Sequence, residues 1–268
     1  MPEPNNFANT PLMAVIPAAG NGMRFLPSRY AKELFPIGYD MLSTTEGGIR
    51  PRLAIQYGLD GLRSAGVRQA YVIISDNKYE LIRVLGDGTD YGVLLAFLHQ
   101  KQARGLPAAL DVAYPWLRNC ITVMVLPDTI FTPIDAVDVV VSAVRKGDAD
   151  VVLAVFPTDH PEELCPVAFD EQRNAIQFFD KVKGVQLSNT WGLGAWTPHF
   201  GDFLHNFLRE ESPKRTNEIT LAEVFSAALN QGISIRCQFF QCGVFYDIGN
   251  NSSLIRAIRA VELPILNL

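Results

Sequence analysis

Two glycines and two cations set the first chemical possibility in this chain. The segment Ala18-Ala19-Gly20-Asn21-Gly22-Met23-Arg24 follows directly on the apolar run that begins at Met13, and Pro27, Lys32, Glu33 and Pro36 come after it. Glycine has no Cβ, so its backbone N–H groups can approach phosphate oxygens closely. Arg24 offers a rigid fork to the same oxygens and Lys32 a movable point charge. An ordinary strand-to-loop turn is the competing reading, and the nearby Arg and Lys weigh against it. The segment is not a P-loop, because no GxxxxGK[ST] follows. It is also a poor dinucleotide fingerprint, because the third glycine is missing and Pro27 interrupts the helix that would receive a pyrophosphate.

Carboxylates supply the second possibility. Asp128 stands just beyond the apolar run Thr122 to Leu126, at the end of a strand where open α/β sheets keep their ligands. A carboxylate there suits Mg²⁺, which takes one or two carboxylates together with waters and substrate phosphates; a turn or helix cap is the equal alternative. Asp247, within Phe245-Tyr246-Asp247-Ile248-Gly249-Asn250, carries the same two readings. On its own, Asp180-Lys181 reads as a solvated salt bridge. Asp148-Ala149-Asp150 resembles a metal-binding DxD but precedes a strand instead of ending one, so it reads as a solvated turn. His199 and His205 are not at i, i+4 spacing and do not form a metal pair by sequence. Cys120, Cys165, Cys237 and Cys242 show neither CxxC pairing nor metal spacing, which predicts reduced thiols.

The elements that must position these residues alternate in type. Strands are predicted at Met13 to Ala18, Tyr71 to Ile74, Thr122 to Leu126, Val151 to Phe156 and Ile233 to Phe240. Helices are predicted over Arg52 to Ala65, stopped by Gly66, and over Ala136 to Arg145, with Gly147 beyond it. Thr220 and Glu223 form a capping box opening a helix that runs to Gly232. A last helix covers Ser252 to Glu262, with its cap among Asn251, Ser252 and Ser253. Ser43 to Pro51 reads as a surface loop. This order predicts an α/β fold: a Rossmann-like, mostly parallel mixed sheet flanked by helices. Residues 1–12 read as a flexible lead-in and 13–268 as a single domain, its nucleotide-binding part over about 13–135 and its acceptor-binding part over about 150–250.

Taken together, these residues resemble the sugar-1-phosphate nucleotidylyltransferases, and most closely their glucose-1-phosphate thymidylyltransferase branch. Gly20, Gly22, Arg24, Lys32 and Pro36 match the family's opening signature, beside Ala19. Leu85 to Gly92 (LGDGTDYG) looks like the loop before the strand whose base-reading Gln falls on Gln100. Gly105 and Leu106 match the pair that cradles nucleotide and sugar. Asp128 and Asp247 fall on the two metal-binding aspartates, Asp180-Lys181 on an acidic-Lys pair contacting sugar and phosphate, and Glu218-Ile219-Thr220 on a structural Glu-Ile-Thr. The resemblance spans roughly residues 13 to 260. It implies that Arg24, Lys32, Asp128 and Lys181 do the catalytic work. Ala19, Gly20, Gly22, Gln100 and Gly105 would hold the nucleotide, while Leu106, Cys165, Asp180 and Lys181 would hold the acceptor. The implied reaction is Mg²⁺-dependent transfer from a pyrimidine nucleoside triphosphate, dTTP or UTP, to a sugar 1-phosphate. The chain departs from the family pattern at Ala19, Met23, Thr129, Leu164 and Cys165; at the last three the family carries an Asn, a Tyr and a glycine around the hexose. Those three replacements imply that glucose 1-phosphate is a poor acceptor.

The bulk numbers agree with a well-cored globular protein: 268 residues, 48% hydrophobic and 19% charged. A formal charge of −5 argues against a nucleic-acid surface, and no apolar run reaches membrane-spanning length. The first eleven residues lack the pattern of a signal peptide. The expected partners are thus a nucleoside triphosphate and a phosphorylated acceptor, in the cytoplasm, with a homodimer or homotetramer implied by the family. Two rivals remain at this stage. One is cytidylyl or uridylyl transfer to a non-glucose or non-sugar phosphate; the other is a non-catalytic nucleotide-sensing homologue.

Overall fold

The computed structural model describes residues 7–20, 31–41 and 49–262. Its centre is a seven-stranded sheet made from β1 (Leu12–Pro17), β4 (Gln69–Ile74), β5 (Leu94–His99), β6 (Ile121–Val125), β8 (Val151–Pro157), β11 (Asn189–Trp196) and β12 (Ile235–Phe239). The order across the sheet is β12-β8-β11-β6-β1-β4-β5. Every neighbouring pair is parallel except those involving β11, which runs antiparallel to both β6 and β8. The sheet is therefore mixed and mostly parallel, as the alternation of elements predicts. β1 lies between β4 and β6, so the chain leaves β1 toward one side and later returns on the other. Such a reversal opens a crevice at the carboxyl ends of the strands.

Strands buried on both faces need helices on both faces. One face is covered by α1 (Ala54–Ser64) and α5 (Ala136–Arg145). α5 turns Val137, Val140, Val141 and Val144 inward at helical spacing, each burial being worth about 1.5–3 kcal/mol. The other face is covered by α3 (Leu106–Val112), α6 (Pro198–Glu211) and α7 (Leu221–Asn230), through Leu110, Phe200, Leu204, Val224 and Phe225. α7 opens as predicted: the Thr220 hydroxyl accepts from the Glu223 N–H at 3.2 Å, and the Glu223 carboxylate accepts from the Thr220 N–H at 2.7 Å. A smaller cluster of Ile37, Tyr57, Ile130, Ile248 and Ala257 seats α8 (Asn251–Glu262) beside the antiparallel pair β7 (Thr129–Thr132) and β13 (Val244–Asp247).

Four local expectations need correction. Residues 49–51, placed in a surface loop, belong to β3 (Ile49–Leu53), which pairs antiparallel with β2 (Pro36–Met41). Arg52 and Leu53 are thus strand residues, and the first helix begins at Ala54, where the Gln56 side chain takes the Leu53 N–H at 2.6 Å. The last helix is capped one residue earlier than expected, by Asn250, whose side-chain oxygen accepts from Ser253 N–H at 2.9 Å. Asp150 is no solvated turn residue. It accepts from the Ser234 N–H and hydroxyl at 3.0 and 2.7 Å and pairs with His199 at 3.0 Å, fastening the start of β8 to α6 and to the approach to β12.

Candidate active site

The crevice beside β1 opens into a cleft of about 470 Å³ at the carboxyl edge of the sheet. Ala19, Gly20, Lys32, Gln100, Gly105, Leu106, Asp128, Cys165, Lys181 and Asp247 all line it. These are ten of the residues that the sequence marks for binding or chemistry, drawn from positions more than two hundred residues apart. Gly22 and Arg24 lie outside the described residues.

Each side of the cleft follows from its element. Gly20 lies just past β1 and lines the cleft, and a Cβ built there would meet no heavy atom of the described residues within 4 Å. Gln100 directly follows β5 and is buried, its N–H bonded to the Ile74 carbonyl at 2.8 Å. Gly105 precedes α3 with φ +87°; a side chain there would also press on the Ile219 carbonyl at 2.8 Å, so glycine is required twice over. Asp128 follows β6. Asp247 reaches it by strand pairing, because β13 lies antiparallel to β7 with Asp247 opposite Thr129, and the Ile248 N–H bonds to the Asp128 carbonyl at 3.0 Å. The adjacent Gly249 N–H donates to the Asp247 carboxylate at 2.8 Å. Two acids 119 positions apart in sequence thus flank one opening.

Lys32 sits on a short 3-10 turn, Lys32–Leu34, and its ammonium is paired with the Asp128 carboxylate. Burial works against that ammonium, but Asp128, by charge and hydrogen bond, outweighs it with help from Glu33 and Asp247, and the pKa stands above the ordinary lysine value. Lys32 therefore stays a cation throughout the neutral range. Glu33 points the other way, into the protein, and meets Lys78 at 2.6 Å. Asp128 and Asp247 form a hard, all-oxygen donor set of the kind Mg²⁺ takes, with room in the cleft for the waters and phosphate oxygens that complete its shell.

The far wall is built differently. Asp180 and Lys181 follow β10 (Ala175–Phe178), whose partner is β9 (Val167–Phe169). Lys181 has φ +53°, a left-handed conformation that costs energy in a residue with a side chain, and its N–H is held by the Leu164 carbonyl at 2.9 Å. Strain of that kind accumulates where a side chain must be aimed. The Cys165 thiol donates to Asp180 at 3.3 Å; burial, and then the Asp180 charge, push its pKa up to about 12, so it stays protonated and remains a donor. The hydroxyl of Thr129 is turned onto the Leu126 carbonyl at 3.0 Å. Sequence reasoning missed Trp191, Phe245, Thr190 and Glu163, which complete this wall. Phe245 packs onto β11 at Gly192, where a Cβ would lie 1.8 Å from its ring. The Trp191 indole N–H is buried with no partner among the described residues. Glu163 holds Arg256 at 2.8 Å and shares a rim cluster with His160 and Glu162.

Elsewhere, His205 pairs with Asp111 rather than with His199, and the four cysteines are free of disulfides. No described helix is long and apolar enough to cross a membrane.

Comparison with known proteins places this geometry. The sequence model of the nucleotidyl transferase family matches residues 13–263. A glucose-1-phosphate thymidylyltransferase of Neisseria gonorrhoeae is 26% identical over 255 residues, covering 94% of this chain and 83% of that protein. One of Mycolicibacterium smegmatis is 30% identical over 261 residues, covering 94% and 84%. Some relatives are longer: the chain spans 66% of a low-salt glycan biosynthesis nucleotidyltransferase of Haloferax volcanii. Among solved structures, a UDP-glucose pyrophosphorylase complexed with UDP-glucose superimposes with a TM-score of 0.75 at 19% identity, over 95% of this chain and 99% of that one, which establishes the shared fold.

Proposed function

We propose a reaction for a chain that belongs to the nucleotidyl transferase family, among its sugar-1-phosphate nucleotidylyltransferases: Mg²⁺-dependent transfer of a nucleotidyl group from dTTP or UTP to a sugar 1-phosphate, giving NDP-sugar and pyrophosphate. The observation that carries it is the convergence of Lys32, Asp128 and Asp247 on one side of a cleft whose other side presents Lys181.

In this reaction an oxygen of the acceptor phosphate attacks the α-phosphorus of the triphosphate. A new phosphoanhydride bond forms, the bond from the α-phosphorus to the bridging oxygen breaks, and pyrophosphate leaves with that electron pair. The attacking oxygen is already ionised near neutral pH, so no general base is required. Catalysis is then positioning plus preorganised positive charge. Lys32 supplies such a charge at the reacting phosphate, and Arg24 would hold the departing pyrophosphate. Lys181 anchors the acceptor phosphate, and Asp180 faces the sugar beside Cys165. Backbone at Ala19 and Gly20, with Gly105 and Leu106, cradles the nucleotide, and Gln100 reads a pyrimidine edge. Asp128 and Asp247 would hold Mg²⁺, which when bound neutralises and orients the α-phosphate.

The names of the relatives favour a sugar 1-phosphate over a non-sugar phosphate, and the strained Lys181 favours an enzyme over a sensor, which needs no aimed acceptor anchor. The test is pyrophosphate release from the protein with Mg²⁺, each nucleoside triphosphate and a panel of sugar 1-phosphates. Release is expected with dTTP or UTP and at least one sugar 1-phosphate. A purine triphosphate used as well as either would overturn the assignment of Gln100, and silence across the whole panel would overturn the reaction.

A further inference from the structure

Behind the contact of Lys32 with Asp128 lies a second ion pair that the proposed reaction does not use. The side chains of Glu33 and Lys78 are 1% and 5% exposed and meet at 2.6 Å. Burying two charges costs several kcal/mol per ion, and such pairs are often no more stabilising than apolar side chains of the same size. A role in stability alone therefore explains the pair poorly, and its location suggests another.

Glu33 is the residue after Lys32 on the 3-10 turn Lys32–Leu34, while Lys78 closes a similar turn, Asp76–Lys78, just beyond β4. The same two segments are tied a second time, by the Ala31 N–H donating to the Glu80 carboxylate. Lys32 itself reaches across to Asp128, beyond β6. The four side chains thus alternate in sign, Lys78, Glu33, Lys32, Asp128, along the carboxyl edge of the sheet from β4 past β1 to β6. Neighbouring positions on one short turn send Glu33 inward and Lys32 into the cleft. Among the described residues, Lys32 is the other cation that acts on the Glu33 carboxylate.

We propose that Glu33 and Lys78 are positioning residues for nucleotidyl transfer: the pair pins the turn that carries Lys32 and satisfies Glu33 from the protein side, and so commits the Lys32 ammonium to the cleft. The inference rests on the reading of Lys32 as the cation at the reacting phosphate. Lys78→Met leaves a buried carboxylate that draws Lys32 back, and kcat falls roughly 10–100-fold, the range seen when groups that orient reacting residues are lost. KM for the triphosphate and the acceptor changes far less, because the other binding groups are untouched. Glu33→Gln frees Lys78 and loosens the turn, with a smaller fall in kcat.

The deciding variant is Lys78→Met combined with Glu33→Met, an apolar pair of similar length. It should regain the Tm lost by the single variants, because no unpaired buried charge is left. Its kcat should remain below that of the unaltered protein, because the bond from the Ala31 N–H to the Glu80 carboxylate alone then ties the turn to the segment beyond β4. Recovery of Tm and kcat together would make the pair merely structural and overturn the proposal, as would a Lys78→Met protein with unchanged kcat. Lys32→Ala separates the two levels: full activity in that variant would overturn the role of Lys32 itself, and a disabled Lys32→Ala beside an unaffected Lys78→Met would overturn only the positioning pair.

Discussion

The two walls of the cleft are built on opposite principles. On the phosphate wall, Lys32, Asp128 and Asp247 are carried by strand ends and short turns, fixed by strand pairing, by the buried Glu33–Lys78 pair and by the Ile248–Asp128 backbone bond. On the acceptor wall, Cys165 and Lys181 are carried by irregular segments around a two-stranded hairpin, with Asp180 bonded to the Cys165 thiol and the Lys181 N–H bonded to the Leu164 carbonyl. The first wall carries the residues to which the proposed nucleotidyl transfer assigns the chemistry. The second carries the departures from the family pattern at Leu164 and Cys165, while Thr129 lies beside Asp128 and opposite Asp247. On the proposed function, chemistry is kept at the strand ends and discrimination on the loops, the division expected when a scaffold positions catalysis and surface segments select partners.

The largest effects should come from the phosphate wall. Asp128→Ala and Asp247→Ala are each expected to cost on the order of 10³-fold or more in kcat with every acceptor, since each removes charge organisation at the reacting phosphate. Near-normal turnover by either variant at low Mg²⁺ would remove that residue from the metal set. Asp128→Ala also releases Lys32 from its partner, so its loss should exceed that of Asp247→Ala. Next in size, Lys32→Ala should lower kcat by about 10²–10³-fold, typical of losing one preorganised donor. Lys181→Ala, by contrast, should act mainly through KM for the acceptor, leaving KM for the triphosphate within a few fold. Equal changes in both constants would erase the distinction between the walls.

Smaller effects should mark the acceptor wall. Cys165→Gly removes bulk and frees Asp180 for a sugar hydroxyl, a contact worth about 1–3 kcal/mol. Glucose 1-phosphate should gain on the order of tenfold in kcat/KM over the unaltered protein, while dTTP or UTP binding stays the same. No change, measured by competition between glucose 1-phosphate and amino- or deoxy-sugar 1-phosphates, would show that Cys165 does not select the acceptor. Smallest of all, alkylation by iodoacetamide at pH 8 should label the exposed Cys242 and spare Cys165, whose thiol, with its pKa near 12, stays neutral at that pH. Rapid labelling of Cys165 that the acceptor blocks would mean an open, mobile wall.

How far the sequence could be read follows the same division. Strands β1, β6 and β8 and helix α5 were legible because their apolar periods are long and clean, and Asp128 was legible because it directly ends such a strand. Asp247 was legible only through the family pattern, since strand pairing across 119 positions leaves no local trace. β11 went unread: Asn189 to Trp196 carries Gly192 and Gly194, which read as a loop, yet both are glycines because Phe245 and Leu153 occupy the space a Cβ would need. Trp191 and Phe245 disappeared from view with it. The Glu33–Lys78 pair was equally hidden, because two charged residues at distant positions read as solvated until the fold buries them.

Attack by an oxygen of the acceptor phosphate on the α-phosphorus, with retention of all that phosphate's oxygens in the product, can be tested by isotope without mutation. A turned-over sugar 1-phosphate carrying ¹⁸O in its phosphate is incubated with Mg²⁺ and dTTP or UTP, and the products are resolved by mass spectrometry. The account predicts that all the label is in the NDP-sugar, including the oxygen bridging its two phosphates, and that the pyrophosphate is unlabelled. Label in the pyrophosphate, or release of orthophosphate from the sugar in place of an NDP-sugar, would contradict it.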